Sequence, residues 1–446
     1  MAMGPAKGQE ATRQVEIVCL DELVPDDDLY RRVDGLVDWG FVREVAAPYY
    51  ADALGRPSID PVVLLKLMLA GALEGIGSMR ELLRVAARDL SLRRFLGYGL
   101  GERLPAHQTV SEAHSRRFLD GQLFERAFLR TVSLCAEHDL LDGTHLSVDG
   151  FHCEADAALK SLRASLALVP APEPGVAEQP AAAEAESPSA PPQLSLAEPR
   201  SGSTPKRKSS NQTSVSHTDP DAKLRGKPGQ RPHLVHRGQV GVDPKARCVV
   251  ACLGEGAGGY EGDGLAPILD RARFACPELV SVAADQGYAA ERVWKDARRR
   301  RLDAYIPPQK TMLPPSGYGP RTAPEREALA ARKRCKSDAG IWAHKRRMAD
   351  AEGVISELKL RHGLARARCR GTPLFHVQLL LGCAAVNLKR LAKHAPEAAS
   401  AATAAPAAEK ATVATPATAQ PSHRPTAPTA TPLLYPATWA VTICLN

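Results

Sequence analysis

Between residues 145 and 307, apolar runs of strand length alternate with stretches of helical period, and this alternation limits the fold more than any other feature. HLSVD (145–149) reads as a strand ending in an acid. LVHRGQVGVD (234–243) and ARCVVACLG (246–254) read as two strands joined through an Asp-Pro-Lys turn, a hairpin. A helix is predicted over 263–275, then a strand ELVSVAAD (278–285) that again ends in an acid. A basic helix (289–301), a short strand (303–307) and helical runs over 341–361 and 373–393 follow. The order β, β-β, α, β, α, β, α predicts an α/β fold with a mixed sheet flanked by helices. Neither a GxGxxG nor a GxxxxGK[ST] phosphate loop is expected behind these strands, which counts against dinucleotide and P-loop readings.

An all-α block precedes the sheet, at about 15–140. Asp60 with Pro61 signals an N-cap and first turn before VVLLKLMLAGAL. Ser78 with Glu81, and Thr109 with Glu112, read as capping boxes. The second block, 141–394, is interrupted at about 165–215 by a Pro-, Ala-, Ser- and Glu-rich segment that cannot bury enough apolar surface to offset its ordering entropy. Residues 395–446 include 34 Ala, Thr or Pro out of 52, so a disordered tail is expected.

The longest apolar runs, 61–73 and 377–386, fall short of the ~20 residues that span a bilayer, so a soluble, cytoplasmic protein without a membrane partner is expected. Ten scattered cysteines suit reduced structural thiols better than a zinc site. Aromatics at 5% exclude a ring-lined carbohydrate or cold-shock surface.

Asp149 and Asp285 stand at strand ends, where ligand sites gather in open α/β sheets. Glu352 lies in a predicted helix, with Lys345 and Lys359 seven residues to either side on the same face. Carboxylates from two strands and a helix suit a pair of hard divalent cations, which take oxygen ligands and can activate a hydroxyl for attack on a phosphodiester. Asp142, Asp156, Asp270 and Glu357 are lower-ranked rivals. Residues 295–370 hold 20 Lys plus Arg against 8 Asp plus Glu, more net positive charge than the +8 of the whole chain. Such a basic zone beside an acidic triad suits a polyanion backbone. His145, His152 and Cys153 read as satisfied strand residues rather than ligands. Asp219 and Asp221 cap a turn or line the path of such a polyanion, and Tyr288 packs in the core or stacks on a ring of the ligand.

Together these segments resemble the DDE transposases of bacterial insertion sequences. The likeness is carried by GRPSIDPVVLLKLMLAGAL and PAHQTVSEAHSRRF in the helical block, and by SVDGFHCEADA, VHRGQVGVD, VAADQGYAAERV and HKRRMADAEGVISELKLRHG in the second. The resemblance implies an RNase H-like catalytic domain behind a helical DNA-binding domain. It assigns Asp149, Asp285 and Glu352 as catalytic and metal-holding acids for two Mg²⁺ ions, which Mn²⁺ can replace. Lys359 matches the basic residue after the third acid and Arg347 the arginine before it. Lys345, Arg116 and Arg117 join them as DNA-binding residues. The implied activity is cleavage at terminal inverted repeats and transfer of the 3′-hydroxyl strand to target DNA, by a homo-oligomer on double-stranded DNA in the nucleoid. The alternative is a catalytically inactive DNA-binding protein derived from a decayed transposase; a metal-dependent nuclease without strand transfer is a third reading.

Overall fold

The computed structural model describes residues 17–50, 58–113, 118, 121–164, 211, 214–226, 229 and 231–394. The segment expected to be unstructured at 165–215 lies outside them except for residues 211, 214 and 215, and the tail at 395–446 lies wholly outside.

The chain begins with helices α1 (Leu20–Leu23), α2 (Leu29–Leu36), α3 (Gly40–Ala46), α4 (Pro61–Leu73), α5 (Met79–Ala86), α6 (Leu90–Leu96), α7 (His107–Glu112) and α8 (Gln122–Glu137). Asp60 accepts from the Val62 N–H, with Pro61 in the first turn, so that cap forms as expected; Ser78 accepts from the Glu81 N–H, but the Glu81 carboxylate pairs with Arg84, so only half of the expected box is made. Thr109 does not cap. Its helix starts earlier, at His107 behind Ala106. That start sets Val110 and Ala113 into the core, and their burial outweighs a side-chain cap worth about 1 kcal/mol. Helix α4 is apolar almost all round, and a helix of that kind is a central one. Leu64, Leu65 and Leu67 are fully buried.

The main sheet contains β1 (His145–Glu154), β4 (Lys223–Arg225), β5 (His233–Val242), β6 (Val249–Gly256), β7 (Ser281–Ala283) and β8 (Asp303–Tyr305); β2 (Leu162–Ala164) and β3 (Ser214–Ser216) form a separate antiparallel pair. β5 runs antiparallel to β1 and to β6, while β7 pairs parallel with β1 and β8 parallel with β7. Helices α9 (Leu265–Ala272), α10 (Glu291–Arg299), α11 (Ala323–Cys335), α12 (Asp338–Arg347), α13 (Gly353–Arg361) and α14 (Thr372–His394) complete the chain. This is the α/β class expected: a helical N-terminal region, then a mixed sheet flanked by helices. One contiguous core joins the two parts. His362 Nδ1 donates to Ala72 O at 2.8 Å, and Lys389 Nζ to Leu73 O at 3.3 Å, tying the C-terminal helices to the end of α4.

Three local differences from expectation bear on function. β1 does not stop at Asp149 but continues to Glu154, because β5 keeps pairing with it while β7 covers only His145–Ser147. The helix expected over 341–361 is two helices joined by a π turn, Met348–Glu352. Finally, against the expectation of no glycine-rich loop, Gly254, Gly256 and Gly259 stand at GxGxxG spacing. The first two lie inside β6, and a Cβ on Gly254 would come within 2.8 Å of His376 Cα in α14. Gly254 N–H donates to His376 Nδ1 at 3.0 Å. That glycine admits a crossing helix, and the run leads into a short 3-10 turn, Glu261–Gly264, rather than directly into a phosphate-binding helix.

Candidate active site

Asp149 stands where the sheet divides. Its strand is paired with β5 at Val240, but the parallel partner β7 has ended two residues earlier. Its backbone thus stays in the ladder on the β5 side, beyond the end of the parallel pairing with β7. Asp285 follows β7 by two residues and caps a 3-10 turn, accepting from the Gly287 N–H at 2.8 Å. The third acid is placed by the π turn. In a regular α-helix residues five apart sit about 140° around the axis. A turn with i→i+5 bonding stacks them instead, and here it brings Arg347 and Glu352 to one side.

Arg347 joins two of the acids. Its Nη1 donates to Asp149 Oδ2 at 2.6 Å and its Nη2 to Glu352 Oε1 at 3.0 Å. The Arg347 and Asp149 side chains are 9% and 14% exposed, whereas Glu352 is half exposed. Burial pushes the Asp149 carboxyl up to about 6; the nearby Asp285 and Glu352 charges add to this, against Arg347 and the Gly150 N–H. A buried carboxylate with like charges around it behaves in this way. Asp149, Asp285 and Glu352 thus share one electrostatic neighbourhood, although they are remote in sequence.

The remaining sequence candidates divide. Lys359 lies with its Nζ 5.3 Å from the centre of the Phe151 ring, two residues beyond Asp149 on the same side of β1. Lys345 is exposed on α12. Arg116 and Arg117 lie outside the described residues. The rival acids are engaged elsewhere: Asp270 with Arg300, Asp156 with Arg366 and Arg370, Glu357 with Arg390 and His362, and Asp142 with Thr144. Tyr288 is a core residue whose hydroxyl donates to Gln239 Oε1 at 3.0 Å. Asp219 is buried against His236 Nε2 at 2.9 Å, and Asp221 accepts from the Thr372 N–H at 2.9 Å; both hold turns. His145 is buried, its Nδ1 2.8 Å from Ser281 Oγ across the β1–β7 pair.

Sequence reasoning missed Glu261. Its carboxylate comes against Gly150, next to Asp149, and against Gly287, which Asp285 caps. The one signal was an acid in a glycine-rich turn between a strand and a helix, which is weak by itself.

The donor set suits hard divalent cations, being all carboxylate oxygen. Among the described residues, however, no three His, Cys, Asp or Glu side chains stand in ligating positions around one point. The Arg347 guanidinium lies between Asp149 and Glu352, so these acids reach a shared cation only by releasing it.

Residues 18–116 match a family described as a transposase domain (DUF772), and residues 320–392 match the transposase DDE domain. The chain carries the domains of a DDE-type transposase. The second match includes Glu352, Arg347, Lys345 and Lys359; Asp149 and Asp285 fall before it. No curated protein matches this transposase. Among solved structures it is similar to the cryo-EM structure of a piggyBac transposase synaptic complex with hairpin DNA, at 8% identity and a TM-score of 0.36, over 83% of this chain and 74% of that one. At that distance the likeness places none of the residues above. Among the described residues no helix is long and apolar enough to cross a membrane.

Proposed function

We propose that this transposase cleaves DNA at the ends of an insertion sequence and joins the freed 3′-hydroxyl strand to target DNA, with Asp149, Asp285 and Glu352 holding two Mg²⁺ ions. One observation carries the reading: Asp149 and Glu352 share one guanidinium, while Asp285 is close enough to raise the Asp149 carboxyl. The DDE-domain match across Glu352 supports it. Bound divalent ions would supply activation of the attacking oxygen and stabilisation of the leaving one.

The chain's own residues do the rest. Asp149 is fixed by the β5 ladder and Asp285 by its turn, so two acids sit on rigid backbone while the half-exposed Glu352 closes from the helix. Lys359, beside Phe151, is placed to meet a phosphate entering along β1. Lys345, Arg116 and Arg117 are the other residues assigned to duplex contact. Arg347 is too enclosed to reach phosphate without leaving Asp149, and its role in the free protein is to hold the acids. The DNA partners are terminal inverted repeats and target DNA, the protein acting as a homo-oligomer on them in the cytoplasm.

The test is a cleavage assay on DNA carrying the flanking terminal repeats, with Mg²⁺ or Mn²⁺. Asp285→Asn should lower strand cleavage about a thousandfold or more, with duplex binding retained. Cleavage surviving that substitution overturns the assignment. Duplex binding without cleavage by the unsubstituted protein would favour the inactive DNA-binding reading, and cleavage without joined product a nuclease.

A further inference from the structure

We propose that the cavity between α4, α5 and α14 binds a small monoanionic carboxylate with an apolar body, its charge met by Arg368. None of Asp149, Asp285 and Glu352 lines this cavity, so the inference does not depend on the reading above.

The cavity has a volume of about 290 Å³. At about 30 Å³ per water-sized group it admits about ten non-hydrogen atoms. Met68 on α4, Met79 and Leu82 on α5, and Val377 and Leu381 on α14 make its wall apolar. A concave apolar space with a few placed polar groups is the usual form of a small-molecule site.

Arg368 is the exception in that wall. Its guanidinium fits between two glycines: a Cβ on Gly77 would lie 3.2 Å from Nε, and one on Gly363 would overlap Nη2. The backbone that carries it is held by Gln378 on α14. Gln378 Oε1 accepts from the Arg368 N–H at 2.9 Å, while Nε2 donates to the carbonyls of Gly363 at 2.9 Å and Arg366 at 3.1 Å. The charge itself is unanswered. Among the described residues no acceptor meets the guanidinium, and Nη2 is enclosed without a partner. Burial works against the cation, and the groups that favour it are the thiols of Cys369 and Cys153, not a carboxylate. Other enclosed arginines of this chain are paired: Arg347 with Asp149 and Glu352, Arg237 with Glu255. A buried cation without a partner is unfavourable until an anion joins it.

The charge count selects the ligand. His362, the other basic side chain on the wall, is committed, with Nδ1 on the Ala72 carbonyl at 2.8 Å and Nε2 3.6 Å from Glu357. One guanidinium balances one negative charge, and its planar fork matches a carboxylate. A dianionic phosphate would keep an uncompensated charge in an apolar space.

The experiment is calorimetric titration of the full chain with octanoate, a carboxylate of about the size the cavity admits, without DNA or metal. Saturable binding is expected, with 1-octanol and inorganic phosphate each weaker by about tenfold or more. Arg368→Met should weaken octanoate binding about tenfold or more. That variant should unfold at no lower urea concentration than the unsubstituted protein, because it removes an unpaired charge and strands no partner. Leu374→Trp, which narrows the cavity and leaves Arg368 intact, should weaken binding by a similar factor. Absence of octanoate binding by the unsubstituted protein, or equal affinity in Arg368→Met, overturns the proposal. Octanol binding as tightly as octanoate overturns the role of the guanidinium, and phosphate binding as tightly overturns the apolar body.

Discussion

Asn387→Leu is expected to destabilise the protein by about 4 kcal/mol, measured as a shift in the urea unfolding midpoint. Asn387 is fully buried on α14. Its Oδ1 accepts from the Val249 N–H at 2.8 Å, its Nδ2 donates to the Val249 carbonyl at 2.9 Å, and also to Thr131 Oγ1 at 3.2 Å. Val249 opens β6 at a register shift in the β5–β6 ladder, which falls between Gly241 and Val242. The asparagine amide satisfies both backbone groups of Val249 and links them to α8. Leucine fills a similar volume but leaves a buried donor and acceptor without partners, each worth about 1–3 kcal/mol. Asn387→Asp should be nearly as harmful, because a carboxylate cannot donate to the Val249 carbonyl. A loss below about 1 kcal/mol in Asn387→Leu would mean that water replaces the amide, and that α14 does not seal this strand as described.

The alternating apolar runs made the sheet legible. ELVSVAAD and the hairpin around Asp243-Pro244-Lys245 can hardly be placed otherwise, and Asp243 accepts from the Lys245 N–H at 2.9 Å as a turn aspartate should. Two features were readable and passed over. Phe151 and Cys153 are buried and alternate with the exposed His152 and Glu154, so the period of two continues β1 past the glycine at 150. Thr322 and Glu325 form a full capping box that opens α11, a helix the sequence reading left out. The π turn was not readable. Lys345, Glu352 and Lys359 at seven-residue spacing suggest one unbroken helix, and only contact with Asp149 reveals why Arg347 and Glu352 share a side. Glu261 was hidden for a similar reason: its surroundings are two glycines from other elements, and no local pattern reports a long-range gap. Local periodicity encodes elements, while the site is encoded by where those elements break.

Replacing Arg347 by methionine should destabilise the metal-free protein by about 3 kcal/mol at neutral pH, because removing one partner of a buried ion pair leaves the other charge uncompensated. The loss should depend on pH in a definite sense. The Asp149 carboxyl in the folded chain is raised to about 6 from its ordinary 3.8, first by burial and then by Asp285 and Glu352. The protonated form is therefore favoured on folding. The stability this group contributes is complete below about pH 4 and is lost as pH rises through 6. Arg347 opposes that loss, and without it the Asp149 carboxyl rises further. The gap between Arg347→Met and the unsubstituted protein should accordingly be small near pH 4.5 and widen towards pH 7.5. Adding Asp149→Asn should recover most of the difference at pH 7.5, since the stranded charge is then gone. An equal loss at both pH values, with no recovery in the double variant, would mean that the guanidinium acts only as packing. The predicted pattern makes Arg347 an internal counter-ion for the acids, so saturating Mg²⁺ should also narrow the gap at pH 7.5 by supplying the positive charge that methionine removed.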